Sequence, residues 1–167
     1  THGGIPNLAF AQIDRFAITS EARVLQFASP SFDAAISEIA TALISGAALI
    51  LPPAQHSGDY PSGVIREQDV SHTTLPPVLL ANLPEDLPLK TLVVAGDACS
   101  PDAVARWSPG RRMINAYGPT ETTVCATMSE ELVGGAVPSI GRPISNTQVY
   151  VLDSGLEPVP VGVAGEL

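Results

Sequence analysis

Apolar positions along this chain change their period every ten to fifteen residues, and the changes lay out an order of elements. Within residues 7–18, Leu8, Ala11, Ile13 and Phe16 fall near helical spacing. Residues 24–28 form a short apolar run that Ser29-Pro30-Ser31 breaks, which predicts a strand. Ile36, Ile39, Ala40 and Leu43 then stand at i, i+3, i+4 and i+7, a helix with one buried face closed by Gly46. Residues 47–51 predict a second strand, ended by Pro52-Pro53, and the Gly, Pro, Ser and Asp of 54–61 predict a surface loop. Residues 70–75 predict a third strand, and Pro76-Pro77 opens a short helix through Leu83. Residues 91–95 are uniformly apolar apart from Thr91, as suits a strand buried on both faces. Ser100-Pro101-Asp102 places a cap, a first-turn proline and an acid at the start of a helix reaching about Trp107, and residues 113–116 make the next strand.

Strand and helix in such short alternation predict an α/β fold: a parallel sheet covered by helices. The texture changes at about Val124. Residues 124–128, 137–140 and 148–152 predict strands separated by Gly/Pro turns, so the fold should pass into a β-rich section at the C-terminal end.

Composition narrows the function. At 167 residues, 45% hydrophobic and only 15% charged, the chain can bury one continuous core and is neither a disordered tail nor a solvated coil. Lys+Arg total 8 against 17 Asp+Glu, and a net charge of −9 argues against nucleic acid or an anionic membrane as partner. No apolar run approaches the roughly 20 residues that cross a bilayer, and no basic start precedes an apolar stretch. Cys99 and Cys125 make no disulfide framework and predict reduced, buried thiols in a cytoplasmic protein. His2, His56 and His72 lack metal-site spacing, and Lys90, the single lysine, reads as a surface residue. The chain starts at Thr1-His2-Gly3-Gly4 without a methionine and stops at Gly165-Glu166-Leu167 inside a strand-like run, as expected of a piece of a larger protein.

Ligands of open parallel sheets bind beyond the carboxyl ends of the strands. Three loops qualify: 29–33, 95–100 and 115–123. The third reads Asn115-Ala116-Tyr117-Gly118-Pro119-Thr120-Glu121-Thr122-Thr123. Around a tight Gly-Pro turn it gathers an amide, an aromatic ring, a hydroxyl and a carboxylate, which would suit a base, a phosphate and Mg²⁺. The residues alone also allow an ordinary strand-to-helix turn capped by Thr120, and Asp33 at a helix start could equally be a cap.

Asn-Ala-Tyr-Gly-Pro-Thr-Glu at 115–121 resembles the adenine-binding signature of the adenylation domains of nonribosomal peptide synthetases. Phe32-Asp33-Ala34-Ala35-Ile36-Ser37-Glu38 resembles that family's Phe-Asp-x-Ser-x-x-Glu motif, with alanine in place of the serine. Thr74-Leu75-Pro76-Pro77, Ala95-Gly96-Asp97, Ile140-Gly141-Arg142-Pro143-Ile144 and Gly165-Glu166-Leu167 follow in the family's order. The resemblance spans essentially the whole chain. It implies a central portion of the large N-terminal subdomain, with residues 1–137 holding the amino-acid pocket and adenine site and 138–167 beginning a β-rich part. It also implies a family phosphate loop before Thr1 and a ribose-binding aspartate, hinge and catalytic lysine after Leu167, so the 167 residues alone are expected to be inactive.

The family joins an amino acid to ATP, giving an aminoacyl-adenylate and pyrophosphate, then passes the acyl group to the thiol of a phosphopantetheinyl carrier protein beside neighbouring synthetase domains. By that resemblance Tyr117 stacks on adenine, Asn115 bonds its exocyclic amine, and Gly96, Asp97, Ala116 and Gly118 complete the slot. Thr120 meets the α-phosphate and Glu121 binds Mg²⁺. Asp33 pairs with the substrate's α-ammonium, which argues against the alternative of a carboxylic-acid:CoA or aryl-acid ligase. The further alternative is a non-catalytic binding module. The family's pocket positions are Asp33, Ala34, Ser37, Thr74, Val93, Ala95, Ala116, Val124 and Cys125. Only Asp33 among them is charged and most are small, which leaves room for a large uncharged side chain. The set resembles that of family members taking aromatic amino acids, and serine at 37, where phenylalanine-type pockets often carry tryptophan, implies tyrosine or a derivative first, phenylalanine or tryptophan next. Cys125 has no histidine at a spacing that would make it a nucleophile and reads as pocket wall.

Overall fold

The computed structural model describes residues 1–52, 59–134 and 137–167. Its centre is a seven-stranded sheet in the order β2-β1-β3-β4-β5-β6-β7. Strands β1 (Arg23–Leu25), β2 (Ala48–Ile50), β3 (His72–Leu75), β4 (Thr91–Ala95) and β5 (Arg112–Tyr117) pair in parallel. The last two, β6 (Thr127–Met128) and β7 (Arg142–Pro143), join antiparallel. The expected parallel sheet passing into a β-rich end is therefore what the chain forms.

Helices α1 (Ile5–Phe16) and α2 (Ala34–Ser45) cover one face, and α3 (Ser62–Glu67) and α4 (Pro101–Trp107) the other. The sheet's alternation decides which side chain joins which core. Leu92, Val94 and Met113 pack with Val64, Ile65, Val104 and Trp107. Val93, Ile114 and Ala116 pack with Leu8, Phe16 and Ala42. Local chemistry sets the helix ends as expected: Ser100 Oγ accepts the Ala103 N–H at 3.1 Å, and Gly46 closes α2 at φ 73°.

Several expectations need correction. Helix α3 carried no periodic signal because it is only six residues long. The segment from Pro77 to Asn82 is a 3-10 helix. Pairing after the signature starts at Thr127, not at residue 124, because Thr123 and Val124 take positive φ (64° and 67°) and leave extended geometry. Residues 137–140 form no strand. The Ser139 carbonyl instead accepts from Asn115 Nδ2 at 3.0 Å, and Ser139 Oγ accepts from the Gly141 N–H at 2.9 Å. The pairing falls to β7, just beyond Gly141. That residue has φ 82°, and a Cβ on it would lie 1.9 Å from the Met128 carbonyl oxygen, so only glycine lets the two strands meet. Of 148–152, Leu152 alone pairs, bridging Pro158 and Glu166. His56 and most of the loop expected at 54–61 lie outside the described residues. No described helix is long and apolar enough to cross a membrane.

Candidate active site

Strands β3, β4 and β5 end side by side, and their register decides what meets there. Thr74 stands opposite Val93, and Ala95 opposite Ala116. Val93, Ala95 and Ala116 all belong to the α1/α2 side of the sheet. Because two of them are alanines, their side chains do not fill the space between the strand ends and the helices. A cavity of about 600 Å³ remains.

All nine pocket positions named from the sequence line this cavity: Asp33, Ala34 and Ser37 from the start of α2, Thr74, Val93, Ala95 and Ala116 from the strands, and Val124 and Cys125 from the segment before β6. Gly96, Asp97, Asn115, Tyr117 and Gly118 line the same space, so the three strand-end loops converge. Thr120 and Glu121 do not line it. They are exposed on the 3-10 turn that follows Pro119.

Asp33 occupies the N-cap position of α2 but makes no side-chain cap bond, and its backbone is already helical (φ −62°, ψ −28°). A true cap residue has extended geometry that lets its oxygen reach back to the first amides. The half-buried Asp33 carboxylate is thus held at the cavity and is not consumed by the helix. Its loop is held from below. Glu38, buried one turn into α2, accepts the Ala28 N–H at 3.0 Å and also bonds the Phe27 backbone. Burial pushes the Glu38 carboxyl up to about 7, and the two backbone bonds oppose that rise.

The 115–123 segment is a hairpin-like connection from β5 to β6, not a strand-to-helix turn. Ala126 N–H donates to Tyr117 O, and Ser129 N–H to Asn115 O. Pro119, not Thr120, stands at the N-cap of the 3-10 turn. A Cβ on Gly118 would sit 2.6 Å from the Ala126 nitrogen and 2.8 Å from Cys125 Cα, so this crossing of backbones demands glycine. Asn115 is buried and lines the cavity, and its Nδ2 donates to the Ser139 carbonyl, while Oδ1 takes no hydrogen bond among the described residues. Tyr117 is 44% exposed and lines the cavity. Across the space Gly96 has φ 86°, and nothing lies within 4 Å of where its Cβ would be, so bare backbone faces the slot.

Cys125 stands in the cavity wall. Burial pushes its thiol up to about 11, against backbone bonds to Tyr117 and Thr127 and a side-chain bond to Gln12, so it is a neutral thiol at pH 7 and a poor nucleophile. Sequence reasoning passed over Gln12, Phe16, Ala98, Cys99, Pro119, Val137, Pro138 and Ile140, which also line the cavity. Gln12 carried a readable signal: it interrupts the buried stripe Leu8, Ala9, Phe16 with a polar side chain.

The family model described as "AMP-binding enzyme" matches residues 1–167. A probable non-canonical nonribosomal peptide synthetase, CymA, of Salinispora arenicola is 54% identical over 170 residues, covering 100% of this chain and 2% of that protein. Novobiocin biosynthesis protein H of Streptomyces niveus is 46% identical over 170 residues, covering 100% and 28%. The chain spans between 2% and 28% of the length of these curated relatives. Among solved structures, a nonribosomal peptide synthetase in an AMPPNP-bound form superposes with a TM-score of 0.82 at 28% identity, over 93% of this chain and 18% of that one. The Vibrio cholerae adenylation domain AlmE, in complex with glycyl-adenosine-5'-phosphate, gives 0.81 at 25% identity over 94% and 34%. An NRPS protein containing adenylation and PCP domains, bound to a vinylsulfonamide inhibitor, gives 0.75 at 27% over 85% and 27%.

Proposed function

The chain belongs to the AMP-binding enzyme family, among the adenylation domains of nonribosomal peptide synthetases, and from that membership we propose that its cavity selects an amino acid for activation by ATP. The observation that carries the reading is the Asp33 carboxylate, untied from its helix, on a cavity of about 600 Å³ that also reaches Gly96, Asp97 and Asn115 to Gly118. One side of the space has a counter-ion for an α-ammonium. The other has a stacking ring, a free amide oxygen that suits an exocyclic amine, and bare backbone.

In the proposed reaction the amino-acid carboxylate attacks the α-phosphorus of ATP. A P–O bond forms to the carboxylate as the bond to pyrophosphate breaks, leaving the aminoacyl-adenylate. Asp33 holds the ammonium and so orients the carboxylate. Asn115 and Tyr117 hold the base, and Thr120 binds the α-phosphate. Glu121 makes no ion pair among the described residues. No cluster of three His, Cys, Asp or Glu able to hold a metal occurs among the described residues, so Mg²⁺ would be held by Glu121 together with phosphate oxygens. When bound it would neutralise phosphate charge. The acyl group would then pass to the thiol of a carrier protein. The neighbour whose name joins adenylation and PCP domains supports that partner, and the AlmE complex supports an amino-acid substrate.

The cavity's size, with small walls at Ala34, Ser37, Ala95 and Ala116, supports an aromatic amino acid, tyrosine or a derivative before phenylalanine or tryptophan. Residues 1–137 would carry this site and 138–167 the start of a β-rich part. An aryl-acid or CoA ligase is disfavoured because such substrates bring no ammonium to Asp33. Amino-acid-dependent ATP–pyrophosphate exchange by the complete enzyme across the proteinogenic amino acids is the test. Tyrosine should lead, and the 167 residues alone should stay at background. A preference for a small aliphatic, acidic or basic amino acid refutes the aromatic assignment, and no exchange with any amino acid refutes the activity.

A further inference from the structure

Gln12 is a buried amide (3% exposed) in the apolar stripe of α1, and it lines the cavity together with Ser37 and Cys125. The Ser37 hydroxyl donates to Gln12 Oε1 at 2.5 Å. Cys125 stands in the same wall of the cavity. The Cys125 S–H donates to the Thr127 carbonyl at 3.3 Å. One directed bond therefore joins α1 and α2 across one wall of the cavity. Its direction matters. A serine hydroxyl has a single proton, and once that proton is committed the oxygen can offer a ligand only lone pairs.

We propose that Gln12 is a specificity-positioning residue: by taking the Ser37 proton it fixes Ser37 Oγ as an acceptor, so that the pocket favours an aromatic substrate carrying a ring hydroxyl over one with a bare ring or a methyl ether. The inference rests on the aromatic reading above. A tyrosine hydroxyl can donate to Ser37 Oγ. Phenylalanine leaves that oxygen without a partner, and O-methyltyrosine sets one acceptor against another. Without Gln12 the Ser37 hydroxyl rotates freely, donates as readily as it accepts, and stops discriminating.

The test compares kcat/KM for tyrosine, phenylalanine and O-methyltyrosine by pyrophosphate exchange in the complete enzyme, with Gln12→Met, Ser37→Ala and the double variant. The wild type should prefer tyrosine to phenylalanine by about ten- to a hundredfold. Gln12→Met should cut that ratio by at least about fivefold, mainly through KM for tyrosine, and a melting temperature near that of the wild type reports folding. Ser37→Ala should lower the tyrosine-to-phenylalanine ratio to a similar extent, and the double variant no more than either, because both changes break one bond. An unchanged tyrosine-to-phenylalanine ratio in Gln12→Met overturns the inference, as do additive effects of the two changes. Should Gln12→Met lose all activity, Ser37→Ala decides: a reduced ratio supports the inference and an unchanged one overturns it. A wild-type profile led by a non-aromatic amino acid overturns the aromatic reading, and this inference with it, before any variant is compared.

Discussion

Replacing Asp33 by alanine separates two jobs that one carboxylate at a helix start can do. As a cap it would hold amides of α2, and its loss would cost about 1 kcal/mol of stability. No such bond exists here, and the Asp33 backbone is helical. What remains is the interaction of a negative charge with the positive end of α2, worth about 0.3–1 kcal/mol at an exposed site. Asp33→Ala should therefore lower the melting temperature by no more than about 4 °C. Its effect on activity should be far larger. In the ligand complex the carboxylate would be the counter-ion of an ammonium removed from water, and breaking such a pair costs roughly 3–5 kcal/mol. That is about two to four decades in kcat/KM for every α-amino acid. Asp33→Asn should behave similarly, since it keeps the shape and loses the charge. Thermal melts and pyrophosphate exchange on the same preparations make the comparison. Near-normal exchange in Asp33→Ala, or a drop in melting temperature large enough to account for the lost activity, would refute the pocket role.

Three other outcomes are expected. Ser37→Trp should fill the space beside Gln12 and lower tyrosine and tryptophan activation about ten- to a hundredfold more than phenylalanine activation; an equal loss for all three would mean that residue 37 does not face the substrate. Glu38, with its carboxyl near 7 in the fold against 4.5 as a free side chain, binds its proton more tightly folded than unfolded. Stability from this group is therefore fully present below pH 4.5 and falls by about 3 kcal/mol as pH rises through 7. Urea unfolding at pH 5 and pH 8 should show Glu38→Gln gaining on the wild type at the higher pH, whereas parallel curves would contradict the assigned burial. Gly118→Ala should cost about 1–3 kcal/mol, because its Cβ would meet backbone atoms of Ala126 and Cys125 at 2.6 and 2.8 Å, and nucleotide affinity should weaken as the loop shifts; an unaltered melting temperature would show that the crossing can relax.

The parts of this fold that were legible in the sequence are those whose cause is local. The buried parallel strand β4 needs an uninterrupted apolar run, and 91–95 supplies one. Helix α4 needs an N-cap and a first-turn proline, and Ser100-Pro101 supplies both. The convergence of the three loops was legible too, because a parallel sheet puts all its strand carboxyl ends on one edge and the pocket residues flank those ends. What failed to show was set by partners distant in the chain. Val137 to Ile140 has strand-like composition, yet Ser139 binds Asn115 and the pairing slips to β7. Gln12 gave only the faint signal of an amide in an apolar stripe. Its meaning depends on Ser37, which lies 25 residues away in sequence. Periodicity says that position 12 faces inward, but only the packed structure says that it faces a cavity. The physical difference lies in Ala95 and Ala116. Had these been valine or leucine, their side chains would fill the space, and Gln12 would bring to a dry core an amide needing partners for both ends. Small residues on the strands and a polar residue on the helix are thus one feature read twice, and neither half is informative without the register that sets them across from each other.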